Sequence, residues 1–228
     1  MSTAKLSNKA SVALGSNGPI RVVAFDCDGV MFDSRQANQA YYNRVLEHLG
    51  RGALTEAQFA FTHMNTVDDS LRFLFPEAAD YTRAQAFRRR LSYLPFIGLM
   101  EMEPHLRELL RRLRPACRTA VATNRTDTMA RVLDAHDLAD GFDLVVTALD
   151  VLRPKPHPDC LETVADHFGV PAAAMIYIGD SRLDAEAAAA AGVPFIAFQN
   201  PDLPAAVHID RLDQVAAIVE RSGVGLSG

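Results

Sequence analysis

Short apolar runs recur along most of the chain, and they alternate with stretches in which apolar residues repeat every three or four positions. The runs cover residues 21–25, 118–124, 143–147, 174–180 and 193–198. Uninterrupted β-branched and aromatic runs are typical of strands that are buried on both faces, as in a parallel sheet. The alternation of such strands with helices predicts an α/β fold, a Rossmann-like parallel sheet with helices on both faces and right-handed crossovers.

Residues 34–103 differ, because their pattern is helical throughout. Helices are predicted over 35–49, 55–63, 68–75 and 81–93, and Thr55-x-x-Gln58 is typical of a capping box. The predicted organisation is therefore a disordered tail over 1–19, an α/β core domain over 20–33 and 104–228, and an all-helical domain over 34–103. The helical domain is inserted directly after the first strand.

Composition narrows the classes of function. The chain has 228 residues, 49% of them hydrophobic, which is enough for a full core. Its net charge of −5 gives no electrostatic reason to expect nucleic acid or an anionic membrane as a partner. No run approaches 18 apolar residues, and residues 1–19 lack the apolar segment of a signal peptide. We therefore expect no membrane segment.

Cysteine and histidine usage argues against a zinc site. The three cysteines are odd in number and lack metal-ligand spacing, and the seven histidines are scattered. Unpaired cysteines are typical of a reducing compartment, so we expect a cytoplasmic location.

The first predicted strand ends in two acids, Asp26 and Asp28, followed by Gly29. Successive side chains of a strand point to opposite faces, so the two acids leave the strand on the same side. In open α/β sheets, ligands bind outside the carboxyl ends of the strands. Two carboxylates are costly to hold close together unless a cation joins them, and a hard divalent cation such as Mg²⁺ fits oxygen ligands.

The other strand ends carry polar residues as well. The second strand ends in Thr123 and Asn124, the loop after the third holds Lys155, and Asp180 and Asp184 follow the fourth. In a parallel sheet these residues converge on one edge. Taken singly, each has an ordinary interpretation as a helix cap, a solvated charge or a first-turn acid. Together, the acids can hold Mg²⁺, while the hydroxyl, amide and ammonium groups can hold phosphate oxygens.

Lysine usage singles out one of these residues. The chain has 20 arginines and only three lysines, of which Lys5 and Lys9 lie in the predicted tail. The one lysine kept in the folded part, Lys155, suggests a need for a compact and flexible point charge. Codon bias towards arginine is the alternative explanation.

This order of motifs resembles the haloacid dehalogenase-like (HAD) hydrolase superfamily, in the subfamily with a helical cap that includes phosphoglycolate phosphatases and β-phosphoglucomutases. The resemblance covers about residues 20–200. It implies an Mg²⁺-dependent phosphatase that acts on a small phosphorylated metabolite. By this resemblance, Asp26 is the nucleophile and Asp28 is the general acid and base. The phosphate ligands that it implies are Thr123, Asn124 and Lys155. The metal ligands that it implies are Asp26, Asp180 and the Asp28 carbonyl, while Asp184 orders the waters of the metal.

The same resemblance separates related activities. Asp28 favours phosphoryl transfer over dehalogenation, and the lack of lysine in 34–103 excludes phosphonatase chemistry. Sugar-phosphate mutases carry a cap arginine near the position of Val67, which weakens that alternative, although Arg72 is near. A receiver-like or catalytically inactive signalling domain is a further alternative. Cap residues predicted to select the substrate are His63, Met64, Asn65 and Thr66. The oligomeric state is open between monomer and dimer.

Overall fold

The structure is a computed structural model that describes residues 18–226, apart from the side chains of His63 and Met64. The chain divides into two compact units. The first contains the described residues up to Val30, Pro104–Thr126 and the residues from Asp140 onward. The second contains Met31–Glu103 and also Asp127–Ala139, a segment that the sequence pattern assigned to the α/β part.

The first unit is built on a parallel sheet of six strands. The strands are β1 (Val22–Phe25), β4 (Arg118–Ala122), β5 (Leu144–Val146), β6 (Met175–Gly179), β7 (Phe195–Phe198) and β8 (Val207–Ile209), in the order β5-β4-β1-β6-β7-β8. Phe25 at the end of β1 pairs with Val121 on one side and with Ile178 on the other. The carboxyl ends of the three central strands therefore lie side by side, as the sequence predicted.

The central strand is covered on both faces. Val22 and Ala24 belong to a cluster with Cys160, Leu161 and Ala185 from the helices on one face. The residues that point the opposite way, Val23 and Phe25, are fully buried too. Helices of this unit are α6 (Leu106–Leu113), α8 (Asp159–Phe168), α9 (Arg182–Ala191) and α10 (Gln214–Arg221). The predicted Rossmann-like α/β class is confirmed.

The second unit is mainly helical. Its elements are β2 (Phe32–Asp33), α1 (Arg35–His48), α2 (Glu56–Met64), α3 (Val67–Leu74), α4 (Ala78–Arg88), α5 (Leu94–Ile97), β3 (Glu101–Met102) and α7 (Met129–Ala135). Tyr41, Tyr42, Leu71 and Phe75 are among the buried residues of its core. The capping box at Thr55 is present.

Several boundaries differ from the sequence-based expectation. Helix α4 begins at Ala78, before the predicted residue 81, and ends at Arg88. The antiparallel pair of β2 and β3 was not predicted, because each strand has only two residues and shows no alternation. Strand β8 was missed for a similar reason: it has three residues, and only Ile209 is buried. Within residues 18–226, no helix is both long and apolar enough to cross a membrane.

Candidate active site

The end of β1 places a buried carboxylate at the centre of the sheet edge. Asp26 is 7% exposed, and its backbone N–H donates to the carbonyl of Ile178 in β6 at 2.9 Å. Gly29 follows with φ of +79°. A Cβ at Gly29 would lie 2.0 Å from Oδ2 of Asp180, so the carboxylate of Asp180 occupies the space that any other residue would fill. The turn after β1 thus brings the first and fourth predicted motifs into contact.

Lys155 lies in the loop between β5 and α8, and it is 4% exposed. Its Nζ is 2.8 Å from Oδ1 of Asp26 and 2.6 Å from Oδ1 of Asp184. The side chain of Asn124 fixes this loop, because its Nδ2 donates to the Lys155 carbonyl (3.0 Å) and its Oδ1 accepts from the Lys155 N–H (2.9 Å). Both polar atoms of the Asn124 amide therefore hold the backbone of Lys155.

The start of α9 positions the remaining acids. Ser181 and Asp184 form a capping box, in which Oδ2 of Asp184 accepts from the backbone N–H of Ser181 at 3.0 Å. A Cβ at Gly179 would lie 2.4 Å from Cβ of Asp184, so the helix approaches β6 closely only because glycine stands there. Asp184 has no exposed surface. Asp180 is half-buried, and its carbonyl accepts from Nδ2 of Asn200 at 2.8 Å.

Three of these acids form a group that can hold a cation. Asp26, Asp180 and Asp184 each offer a carboxylate oxygen, and these oxygens lie within 4.8 Å of one another. Asp184 already uses Oδ2 in the capping box and Oδ1 towards Lys155 and Tyr177. The ammonium of Lys155 approaches Oδ1 of Asp26 at an angle that makes an ion pair but no hydrogen bond, which leaves that buried oxygen without a hydrogen-bond partner. A hard divalent cation between Asp26 and Asp180 fits this donor set.

Burial, mutual repulsion and the ammonium of Lys155 shift the pKa values of these acids in different directions. Burial, which the ammonium of Lys155 only partly offsets, raises the pKa of Asp26 to about 7. Burial and the nearby charges of Asp26 and Asp184 raise the pKa of Asp180 to about 8. Asp184 behaves differently: burial would raise its pKa, but Lys155 and the hydrogen bonds from Ser181 and Tyr177 outweigh this effect and lower it. The pKa of Lys155 is raised, because Asp184 and Asp26 outweigh its burial.

Asp28 lies in a separate ion pair within the same unit. Arg125 donates from Nε and Nη2 to the two carboxylate oxygens of Asp28, at 2.8 and 2.7 Å. The Arg125 side chain is 8% exposed and that of Asp28 is 34% exposed. Thr123, which is buried at the end of β4, accepts from the backbone N–H of Arg125 through Oγ1 at 3.2 Å. The residues named above thus bring four carboxylates and two cationic side chains to this edge of the sheet.

Sequence reasoning missed two members of this group, Arg125 and Tyr177. Arg125 directly follows the predicted Thr123-Asn124 pair, so its place at a strand end was a usable signal. Tyr177 gave no such signal, because within an apolar strand it is indistinguishable from a packing residue. Of the cap residues predicted to select the substrate, Asn65 and Thr66 lie between α2 and α3, where Thr66 caps α3. The side chains of His63 and Met64 lie outside the described residues.

Comparison with known proteins assigns the class. Residues 23–198 match the family model described as haloacid dehalogenase-like hydrolase. The phosphoglycolate phosphatase of Escherichia coli O157:H7 is 33% identical over 202 residues, covering 78% of this chain and 80% of the relative. The one from Salmonella typhi is 31% identical over the same shares.

Solved structures give the same class. A HAD-superfamily hydrolase of subfamily IA from Geobacter sulfurreducens superposes with a TM-score of 0.77 at 38% identity, covering 89% of this chain and 98% of that one. A β-phosphoglucomutase from Clostridium difficile, at 18% identity, shares the fold with a TM-score of 0.74, covering 90% and 97% of the two chains. The chain belongs to the haloacid dehalogenase-like hydrolases. It is a phosphatase of that family, and its overall type is the one shared by phosphoglycolate phosphatases and β-phosphoglucomutases.

Proposed function

We propose that this phosphatase hydrolyses a small phosphate monoester in an Mg²⁺-dependent reaction with Asp26 as the covalent nucleophile. The observation that carries the proposal is the environment of Asp26. Its Oδ1 is buried without a hydrogen-bond partner, lies 2.8 Å from the ammonium of Lys155, and belongs to a group of three carboxylates. The ammonium of Lys155, which lies beside this carboxylate, can bind the phosphoryl group that the carboxylate attacks.

In the first step, an Asp26 oxygen attacks the phosphorus atom, and the bond from phosphorus to the substrate oxygen breaks. Lys155 and the Thr123 hydroxyl bind the equatorial phosphoryl oxygens, and Asn124 acts by holding the Lys155 loop. Asp28, in its protonated form, gives its proton to the leaving oxygen. Covalent catalysis in this way splits one difficult displacement into two easier ones.

In the second step, water attacks the phosphorus of the aspartyl-phosphate while the Asp28 carboxylate takes a proton from it. Inorganic phosphate leaves and the Asp26 carboxylate is restored. Both Asp28 oxygens are bound to Arg125 in this structure, so at least one of these bonds must be released before Asp28 can transfer a proton.

Asp26 and Asp180 would hold the Mg²⁺ ion directly, and the backbone carbonyl of Asp28 is the third ligand that we propose. Asp184, whose oxygens are already bonded within the protein, would order the waters around the ion. When bound, the ion neutralises the crowded carboxylates and the phosphoryl oxygens, which allows one anion to approach another.

For the substrate, the names of the relatives suggest a starting point. Relatives that are 31–33% identical carry the name phosphoglycolate phosphatase. We therefore propose phosphoglycolate as the first of the small phosphate monoesters to test, with His63, Met64, Asn65 and Thr66 as the residues that select among them. The cysteines at positions 27, 117 and 160 are unpaired and buried, which supports the cytoplasm as the place of action.

The test measures release of inorganic phosphate from p-nitrophenyl phosphate and from phosphoglycolate, with Mg²⁺ and with EDTA. We expect metal-dependent turnover by the wild type and a loss of more than about a thousandfold in Asp26→Asn, because the amide is not a nucleophile. The matched control is Asp166→Asn, an exposed acid on α8 that should keep wild-type activity.

Two results would reject the proposal. One is equal turnover by the wild type and Asp26→Asn, and the other is full activity in EDTA. Adding β-glucose 1-phosphate to the panel tests the mutase alternative, which predicts formation of glucose 6-phosphate instead of free phosphate.

A further inference from the structure

A buried tyrosine hydroxyl contacts two of the charged groups of the site, Lys155 and Asp184. Tyr177 is in the middle of β6 and has no exposed surface. Its Oη is 2.9 Å from Nζ of Lys155, 2.7 Å from Oδ1 of Asp184 and 2.9 Å from the carbonyl oxygen of Ala122 at the end of β4. The hydroxyl therefore joins the lysine, the acid and the backbone of a neighbouring strand.

The protons of the tyrosine hydroxyl and of the ammonium can be assigned to individual acceptors. The hydroxyl has one proton, which it donates to Asp184 or to Ala122, and a lone pair that accepts from Lys155. The ammonium has three protons, with Asp184 at 2.6 Å and Tyr177 at 2.9 Å as its near acceptors and the Ala122 carbonyl at 3.4 Å as a distant one. The hydrogen bonds to Asp184 and Tyr177 therefore fix the position of the ammonium.

Among the described residues, two acceptors remain near the third ammonium proton, the Ala122 carbonyl and Oδ1 of Asp26. The Ala122 carbonyl is 0.5 Å closer to the tyrosine hydroxyl than to the ammonium. Oδ1 of Asp26 is near the ammonium but is not aligned for a hydrogen bond. This proton is consequently the one that a bound phosphoryl oxygen can take without leaving a buried acceptor unpaired.

We infer that Tyr177 is a positioning residue for the phosphatase reaction, because its hydroxyl fixes the Lys155 ammonium and Asp184 so that one ammonium proton faces the phosphoryl group. The inference rests on the proposed function. Without the hydroxyl, the ammonium loses one of its two firm acceptors and turns towards the Ala122 carbonyl. Asp184 loses a donor at the same time, while Asp26 and Asp180 keep the contacts described for them.

The test compares the wild type with Tyr177→Phe, which removes one oxygen and keeps the ring. The matched control is Tyr42→Phe, at a buried tyrosine on α1 of the helical unit. Three quantities are measured with p-nitrophenyl phosphate: kcat/KM, the inhibition constant of orthovanadate, and the Mg²⁺ concentration that gives half-maximal activity. The melting temperature of each variant is recorded as well.

For Tyr177→Phe we expect kcat/KM to fall about 10- to 100-fold, the range of one hydrogen bond to a charged group. The orthovanadate inhibition constant should rise in the same proportion, and the half-saturating Mg²⁺ concentration should change by less than about twofold, since no metal ligand is touched. Tyr42→Phe should match the wild type in all three quantities.

Other outcomes would overturn the inference. Unchanged kinetics in Tyr177→Phe would show that the hydroxyl has no part in the reaction. Loss of folding, or equal changes in orthovanadate and Mg²⁺ constants, would assign Tyr177 a structural role only. An inactive wild type would instead count against the proposed function, so the two failures are distinguishable.

Discussion

The acids at the two edges of the parallel sheet have opposite electrostatic environments. At the amino edge, Asp143 precedes β5 and accepts from the backbone N–H of Thr119 at 2.9 Å. Arg118 lies 3.3 Å from its carboxylate and Arg114 lies 3.7 Å from it. Burial alone would raise the pKa of Asp143, but the Thr119 bonds and the two arginines outweigh this effect and lower it.

At the carboxyl edge, burial of the Asp26 and Asp180 carboxylates outweighs the contacts that favour their ionised form. Asp26, Asp180 and Asp184 share one ammonium, and the pKa values of Asp26 and Asp180 rise to about 7 and about 8. The ionised form of Asp143 therefore stabilises the fold, whereas ionisation of the buried Asp26 and Asp180 carboxyls is unfavourable, and the cation that we propose would offset this cost. This difference supports our proposal that the carboxyl edge serves binding and chemistry, while the amino edge contributes to stability.

The largest expected effect on stability comes from removing the Lys155 ammonium at the carboxyl edge. Lys155→Met leaves Asp26 and Asp184 buried without their cationic partner. We expect the free energy of unfolding in EDTA to fall by about 3–5 kcal/mol, as is usual when one member of a buried ion pair is removed. Urea denaturation measures this change, and a stability equal to that of the wild type would contradict the contrast between the edges.

A second prediction concerns Asp180 and the metal. In EDTA, Asp180→Asn should be more stable than the wild type by about 1 kcal/mol or more, because it removes one of the crowded charges. In saturating Mg²⁺ the order should reverse, since the wild type gains about 2–3 kcal/mol at a hundredfold excess over its dissociation constant and the variant gains less. Thermal denaturation in both buffers tests the reversal, and a variant that is less stable in EDTA would count against it.

The third prediction tests the amino edge by pH. Because the pKa of Asp143 is lowered, its stabilising effect is present above the unfolded-state pKa and is lost as the pH falls through the folded-state value. Asp143→Asn should therefore cost about 1–2 kcal/mol at pH 7 and progressively less below about pH 4. Denaturation at several pH values measures this, and a constant difference at all pH values is the contrary result.

The smallest expected effect is that of an exposed arginine at the same edge. The Arg118 side chain is 65% exposed, so its pair with Asp143 is well solvated. Arg118→Met should change the free energy of unfolding by less than about 1 kcal/mol. A larger loss in urea denaturation would mean that the amino edge depends on its arginines more than on the Thr119 hydrogen bonds.

Much of the fold could be predicted because its signals are local. The apolar runs of β1, β4, β6 and β7 are buried on both faces, so their composition alone distinguishes them from the helices. The strands that were missed, such as β8, have two or three residues and depend on their neighbours in the sheet. The placement of Asp127–Ala139 in the helical unit likewise depends on tertiary packing, which local periodicity does not report.

The candidate site, like the fold, could be predicted only where its signals are local. Asp26, Lys155, Asp180 and Asp184 follow strand ends, and parallel pairing alone brings strand ends together. The contacts of Asn124 with the Lys155 backbone, and of Tyr177 with the ammonium, depend on atomic geometry that no spacing encodes.

Asp26 should become phosphorylated during turnover, and acid quenching tests this most directly. Wild-type protein and Asp26→Asn are mixed with Mg²⁺ and ³²P-labelled p-nitrophenyl phosphate, quenched in acid within the first turnover, and digested for mass spectrometry. We expect label on the wild-type peptide that contains Asp26, reducible by borohydride, and none on Asp26→Asn. Turnover without labelled wild-type protein, or label on the variant, would contradict the account.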